Sequence, residues 1–269
     1  MKISAENWTG SAVARVIVDP APRTGRLNMA LDETLLNRCR EQPEIVVRVY
    51  RWSAPTLSVG YFQKDTANCP AGLQSLPVVR RLSGGGAILH DQELTYSCVL
   101  PAAHSIRSNP SGLYPLVHRN LIDLLCRCGA NVLLRSEADR ASNELESATA
   151  AANSGSAGES YLCFLRTNEN DIVTDAGIKV VGSAQRRRRG VILQHGSVLL
   201  RCSVHAEQLP GLEDLFPGFN TELLQNRMAD AIASAVADRW EAGQFSAAEL
   251  AEAMQAGELN TDTVGETQG

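Results

Sequence analysis

No Cys-x-x-Cys pair occurs in the 269 residues, although seven cysteines do: Cys39, Cys69, Cys98, Cys126, Cys128, Cys163 and Cys202. An odd count without that spacing excludes a fully paired disulfide framework. Cys126 and Cys128 stand two apart on an expected helix, so they point to different sides and make a poor metal pair; no metal site is expected. The opening MKISAENWTG lacks the apolar run of a secretory signal. No uninterrupted apolar segment reaches the length of a membrane helix. These absences predict free thiols in a reducing, cytoplasmic compartment and no membrane partner. Positive charge is also short: 25 basic against 30 acidic residues give a formal charge of −5, so nothing global argues for nucleic acid. A local basic patch still suffices for docking, which depends on the local field. Nucleotide-type glycine loops are missing too, since no Gly-Lys-Ser/Thr follows a glycine run and no G-x-G-x-x-G opens a helix.

What is present reads as an ordinary globular chain, 44% hydrophobic and 20% charged. It is long enough to bury a sizeable core without staples. LNMALDETLLNRCR, from Leu27 to Arg40, places Leu27, Ala30, Leu31, Thr34 and Leu35 at helical spacing. IVVRVYRW, Ile45 to Trp52, is a β-branched strand that Pro55 ends; TLSVGYF and LPVVRRL follow as strands. ELTYSCVLP alternates like a strand, and SGLYPLVHRNLIDLLCRCGANV reads as a helix stopping at Gly129. From Ser136 to Ser160 large apolar residues are scarce, which predicts a mobile loop. IVTD and GIKVVGSAQ form a hairpin around Asp175, Ala176 and Gly177, and GVILQHGSVLLR continues as strand. Beyond Ser203 the pattern is helical, including TELLQNRMADAIASAVADRW, with a polar tail from Gly257. Strands come in adjacent groups with helices before and after, which predicts an α+β fold with a mixed, mainly antiparallel sheet flanked by helices. Residues 12–240 are expected to form one domain, and 241–269 a short helical extension and disordered tail.

Two constellations carry chemistry. In RRLSGGGAILHDQELTYS, Gly84, Gly85 and Gly86 permit positive φ and close approach of a ligand to the main chain. Their N–H groups suit an anion-binding nest, and Arg80 and Arg81 add charge; a tight hairpin turn is the plainer alternative. His90 suits either proton transfer or a backbone bond at a strand end. In GIKVVGSAQRRRRGVILQHGS, Lys179 stands between apolar neighbours, where a charge needs a partner or a task. Gly182, Ser183 and Ala184 again let a ligand approach, while Arg186 to Arg189 read as a solvated basic turn or a docking patch. Cys163, in YLCFLR, differs from the other cysteines in that Lys179 lies beside it if YLCF and GIKV share a sheet; a neighbouring cation favours the thiolate.

Taken in order, LNMALDETLL, RWSAPTLSVGYFQ, RRLSGGGAILHDQELTYS and GIKVVGSAQRRRRGVILQHGSVLL resemble the lipoate–protein ligase and octanoyltransferase family, related to biotin–protein ligases. The resemblance spans roughly Leu27 to Leu200. It implies the same mixed sheet flanked by helices. It implies that Lys179 reaches the acyl carbonyl, and that Arg80, Arg81, Gly84, Gly85, Gly86, His90, Gly182, Ser183, Ala184 and His195 line the acyl pocket. The family holds two chemistries: ATP-dependent ligases that form lipoyl-adenylate, and transferases that pass octanoyl through a cysteine thioester without ATP. ELTYS after the histidine, Cys163 with Phe164, and the closing VILQHGS resemble the cysteine-dependent branch; Gly86 stands where that branch often has arginine. The reading that follows is an octanoyltransferase with Cys163 and Lys179 catalytic and no cofactor; its alternatives are a ligase using ATP and magnesium, and a non-catalytic lipoyl-domain-binding relative. Implied partners are octanoyl-acyl carrier protein and lipoyl domains of 2-oxoacid dehydrogenases or glycine cleavage H protein, steered by Arg187 and Arg188.

Overall fold

The computed structural model describes residues 12–63, 69–140 and 161–259. Its main sheet has eight strands in the order β11-β1-β2-β6-β10-β9-β8-β7. These are β1 (Val13–Val18), β2 (Ile45–Tyr50), β6 (Glu93–Leu100), β7 (Val132–Leu134), β8 (Ile172–Thr174), β9 (Lys179–Arg188), β10 (Val191–Leu199) and β11 (Arg239–Ala242). β1 runs parallel to β2 and β11, and every other neighbour pair is antiparallel. The mixed, mainly antiparallel sheet expected from the strand grouping is what forms. A smaller sheet, β4-β3-β5, joins β3 (Thr56–Val59), β4 (Val78–Arg80) and β5 (Ile88–His90).

Period two divides the main sheet's central strands between two environments. On one face Val47 and Val49 of β2, Tyr96 and Cys98 of β6, and Val181 and Val198 of β9 and β10 meet helices α2 (Leu113–Arg127) and α3 (Thr221–Val236). Val117, Leu121, Leu124 and Leu125 of α2 and Leu224, Met228 and Ile232 of α3 complete that core. The opposite face carries Arg48, Tyr50, Thr95, Ser97, His195 and Ser197, covered by helix α1 (Gly25–Arg38). Thr24 caps α1 by accepting the N–H of Leu27. The helix turns Leu31, Leu35 and Leu36 inward, together with polar Asn28 and Asp32. Arg48 is buried in donating to Asp32 (2.9 Å), Asp19 (2.7 Å) and Asn28. A charge so deeply placed requires those acceptors.

The C-terminal helix, α4 (Ala247–Leu259), packs on α1, where Ala253 meets Ala30 and Leu31. Glu249 and Ser246 form a reciprocal cap, and Arg15 ties Glu249 (2.6 Å) to Glu44 (2.9 Å). Two expectations are corrected here, on the helix through Trp240 and on the arginine run, and two more lie largely outside the described residues. The helix expected through Trp240 ends at Val236, because Asp238 and Arg239 donate to the carbonyl of Ala12 and start β11. The polar tail expected from Gly257 begins inside α4, and residues 260–269 lie outside the described residues. The loop expected over 136–160 begins with helical residues 136–140, and 141–160 lie outside the described residues. The arginine run is strand rather than turn through Arg188; the turn is Arg189 (φ 51°) and Gly190 (φ 89°).

Candidate functional site

Hairpin register assembles the site. β9 and β10 set Gly182 against Ser197 and Ala184 against His195. β6 adds Thr95 beside Ser197 and Ser97 beside His195, and β2 adds Tyr50 and Arg48. The result is a row of small or polar side chains under α1. Above them lies a small cavity, bounded also by Met29, Arg81, Ile88, His90, Cys163 and Phe164.

Cys163 does not reach the cavity through the main sheet. Leu162 forms a single bridge with Ala87, and the N–H of Cys163 donates to the carbonyl of Ala87 (2.7 Å) before the chain makes a 3₁₀ turn. This lays the thiol beside the glycine loop. A methyl group built on Gly85 would sit 3.8 Å from the Cys163 sulfur and 3.1 Å from the Arg81 guanidinium. Gly85 also has φ of 93°, so both conformation and space favour glycine. At Gly86 a side chain would collide with the guanidinium of Arg166, 2.9 Å away. An arginine therefore does occupy the space beside Gly86, but it comes from position 166.

The glycine loop faces Arg81 with its carbonyls. Arg81, buried, donates to Gly84 O (2.9 Å), Gly86 O (2.6 Å), Ser58 O (2.9 Å) and Ser58 Oγ (3.1 Å). These bonds make the loop a carbonyl cage around a cation, where the sequence suggested an N–H nest. Burial pushes Arg81 down to about 10; the nearby Cys163 sulfur opposes that shift and Arg166 adds to it. Its Nε–H is buried without a hydrogen-bond partner among the described residues. Arg80 is not brought to the cavity: it is exposed and donates to the carbonyls of Gly60 and Gln63 (2.9 Å each), bracing that turn.

His90 lines the cavity but both ring nitrogens are engaged, with Ser58 Oγ at 2.7 Å and Glu93 at 2.8 Å. It stacks on Trp52 at 3.8 Å. Burial lowers its pKa against the pull of Glu93. His195 pairs with Ser83 Oγ and lies 3.7 Å from Asp32. Burial alone would raise the Asp32 carboxyl, yet His195, Arg48 and Ser97 together hold it below the usual carboxylate value. Ser183 borders the cavity, but its hydroxyl is held between Tyr96 (2.7 Å) and His118 (2.6 Å) on the α2 side.

Lys179 is buried, and its ammonium lies 3.0 Å from Asp171, 3.3 Å from the Cys163 carbonyl and 3.4 Å from the Arg166 carbonyl. The YLCF and GIKV segments do not share a sheet; this lysine brings them together by bonding the main chain of Cys163. Asp171 went unassigned in the sequence, although a lysine between apolar neighbours demanded a carboxylate and the hairpin at Gly177 folds β8 back along β9. Burial raises the Asp171 carboxyl against the pull of Lys179. Arg187 and Arg188 point to opposite faces of β9. Arg187 bonds Gln185 and Ser111, while Arg188 reaches Asn37 (3.0 Å) and Glu33 (3.5 Å) on α1.

Residues 24–235 match the model of the lipoyl protein ligase A/B catalytic domain. The chain belongs to that family. An octanoyltransferase LipM from Oceanobacillus iheyensis is 36% identical over 195 residues, covering 70% of this chain and 64% of that relative. A LipM from Bacillus anthracis is 36% identical over 77% of this chain and 70% of its own length. One from Kyrpidia tusciae is 30% identical over 85% and 89%. Among solved structures, lipoate-protein ligase A bound with ATP superposes with a TM-score of 0.66 at 19% identity, covering 91% of this chain and 94% of that one. A bipartite lipoate protein ligase from Thermoplasma acidophilum gives 0.63 at 17% identity, covering 91% and 92%. The lipoyl ligase fold is therefore that of this chain.

Proposed function

We propose that this protein is an octanoyltransferase: it accepts an eight-carbon acyl group from a carrier thioester onto Cys163 and passes it to a lysine amine of a lipoyl domain. The observation that carries the reading is the Cys163 thiol at the cavity wall, against Gly85 and in the field of buried Arg81. Thiolate attack on the carrier thioester forms a new thioester and releases the carrier thiol. The acyl-enzyme stays activated, so the reaction consumes no ATP and requires no cofactor. The acceptor amine then attacks, the carbon–sulfur bond breaks, and a stable amide leaves. In this reading Lys179, which bonds the main chain of Cys163, and the buried Arg81 at the cavity wall supply positive charge near the developing oxyanion. Each acyl methylene buried in the cavity contributes about 0.8 kcal/mol.

Residues 12–240 form the catalytic unit in this reading, with α4 covering α1. The donor is octanoyl-acyl carrier protein; the acceptor is a lipoyl domain of a 2-oxoacid dehydrogenase or glycine cleavage H protein. Both carriers are approached as acidic surfaces. Arg186, stacked over Tyr61 at 4.6 Å beside the exposed Phe62, and Arg188 serve that docking from one face of β9, while Arg187 serves from the other. The test is transfer from octanoyl-acyl carrier protein to a lipoyl domain with ATP omitted, comparing wild type with Cys163→Ser. Transfer by wild type and a loss of at least about a hundredfold in the variant support the reading. Transfer that appears only with free acid and ATP establishes the ligase chemistry instead.

A further inference from the structure

Three donors converge on one oxygen of Glu93. His90 Nδ1 (2.8 Å), Thr95 Oγ1 and Ser197 Oγ (2.9 Å) all bond Oε1, while Oε2 is buried without a hydrogen-bond partner among the described residues. A carboxylate oxygen accepts, so this contact puts the His90 proton on Nδ1. Burial favours the neutral ring, which leaves a lone pair on Nε2. That nitrogen faces Ser58 Oγ at 2.7 Å, so the Ser58 hydroxyl donates to it. With its proton committed, the Ser58 oxygen turns its lone pairs to Arg81, whose guanidinium donates to it at 3.1 Å. Each contact thus sets the direction of the next, from Glu93 on β6 through His90 at the end of β5 and Ser58 on β3 to Arg81. All four side chains are buried.

A serine, a histidine and a carboxylate in this order also make the triad of a serine nucleophile. Here the serine is fully buried, does not line the cavity, and already accepts the Arg81 N–H. The chain ends on a guanidinium and not on a reacting hydroxyl. Arg81 in turn holds Gly84 O and Gly86 O. A methyl group on Gly85, between them, would lie 3.1 Å from Arg81 and 3.8 Å from the Cys163 sulfur. Ser83 and His195 form a similar contact beside the same loop, but His195 stands 3.7 Å from Asp32, beyond hydrogen-bond reach. The Glu93 chain is the continuous one. We infer that Glu93 is a positioning residue: by fixing the Nδ1–H tautomer of His90 it aims the Ser58 hydroxyl and holds the Arg81 fork on the glycine loop beside Cys163.

The kinetic arm of the test rests on the transfer reading; the two NMR arms do not. The chain has five histidines, so protein with ¹⁵N-labelled imidazoles gives a small set of signals, with His90 assigned by His90→Gln. In wild type His90 is expected to carry its proton on Nδ1. Glu93→Ala is expected to move that proton to Nε2, whereas Glu93→Gln, whose amide carbonyl can stand in for Oε1, keeps it on Nδ1. Hydrogen exchange at the Arg81 guanidinium, assigned with Arg81→Lys, should be at least about tenfold faster in Glu93→Ala and in Ser58→Ala than in wild type. Acyl-enzyme formation in a single turnover should slow by at least about tenfold in the same two variants, with half-saturation by the carrier unchanged, while Glu93→Gln stays within about threefold of wild type. Combining Glu93→Ala with Ser58→Ala should add little, because both break one chain. A wild-type His90 with its proton on Nε2, or Glu93→Ala and Ser58→Ala variants that exchange and react as wild type does, overturns the inference. If Glu93→Ala does not fold, the wild-type tautomer and Ser58→Ala decide. If no acyl-enzyme forms on Cys163, the transfer reading fails while the tautomer and the exchange rates still decide the role of Glu93.

Discussion

Single residues at this site are held by more than one constraint, which makes their replacement informative. Gly85 combines φ of 93° with a space bounded by Arg81 and Cys163. Gly85→Ala is expected to cost about 1–2 kcal/mol in stability, read from the urea midpoint. Because the added methyl presses on the guanidinium and the sulfur, acyl-enzyme formation should slow by at least about tenfold, which a small shift in reacting geometry suffices to produce. Arg81 behaves differently from the arginine pair it belongs to. It is enclosed by four carbonyl and hydroxyl contacts, whereas Arg80 braces an exposed turn. Arg80→Ala is therefore expected to keep kcat within about threefold of wild type, while Arg81→Lys, which cannot reproduce the planar fork, loses most activity. Equal losses in the two variants, measured by steady-state transfer, contradict the assignment.

At the scale of elements, hairpin register accounts for most of what the sequence disclosed. The run GIKVVGSAQ was readable as a strand because its apolar residues, small residues and turn glycine agree, and strand alternation then placed Gly182 and Ala184 on the cavity face. Of the two readings of the arginine run, the solvated turn failed because charge alone suggests a turn, while the Arg189–Gly190 turn that closes the hairpin lies one step later. Alternation splits Arg187 from Arg188, so reversing each charge should reduce carrier capture independently, with nearly additive effects on kcat/KM at low salt. Asp32, Arg48 and Glu93 were invisible as site residues because partners of each come from other elements. Asp32 meets Arg48 and His195 only after α1 lies across β2 and β10. The Cys163 segment defeated sequence reading for a related reason: its place depends on one bridge to Ala87, which no periodicity announces. The α2–α3 layer, by contrast, was legible from helical spacing. Leu124, fully buried there, is expected to cost about 2–5 kcal/mol when cut to alanine, with the urea m-value unchanged.

For the molecule as a whole, burial of neutral histidines couples stability to pH. His118 donates from Nδ1 to the Asn170 carbonyl and accepts the Ser183 hydroxyl at Nε2, and burial pushes its pKa down to about 4. The folded value lies below the unfolded one, so the unfolded chain takes the proton first. Stability is then lost as pH falls from about 6.5 towards 4, by about 2 kcal/mol between pH 7 and pH 5 from His118 alone. His90 and His104 are shifted the same way. Asp32 and Glu249, held below their usual values, withdraw their contributions only at lower pH still. Urea titrations at pH 7 and pH 5 should show the loss, and His118→Gln should flatten it.

The central claim is that the cavity works through a thioester on Cys163. It is tested most directly by the intact mass of the protein after mixing with octanoyl-acyl carrier protein, without ATP, for wild type and Cys163→Ala. The account predicts a hydroxylamine-labile octanoyl adduct on wild type alone, which a lipoyl domain removes as it becomes octanoylated. An adduct that persists in Cys163→Ala, or no adduct while free octanoate plus ATP supports transfer, would contradict it.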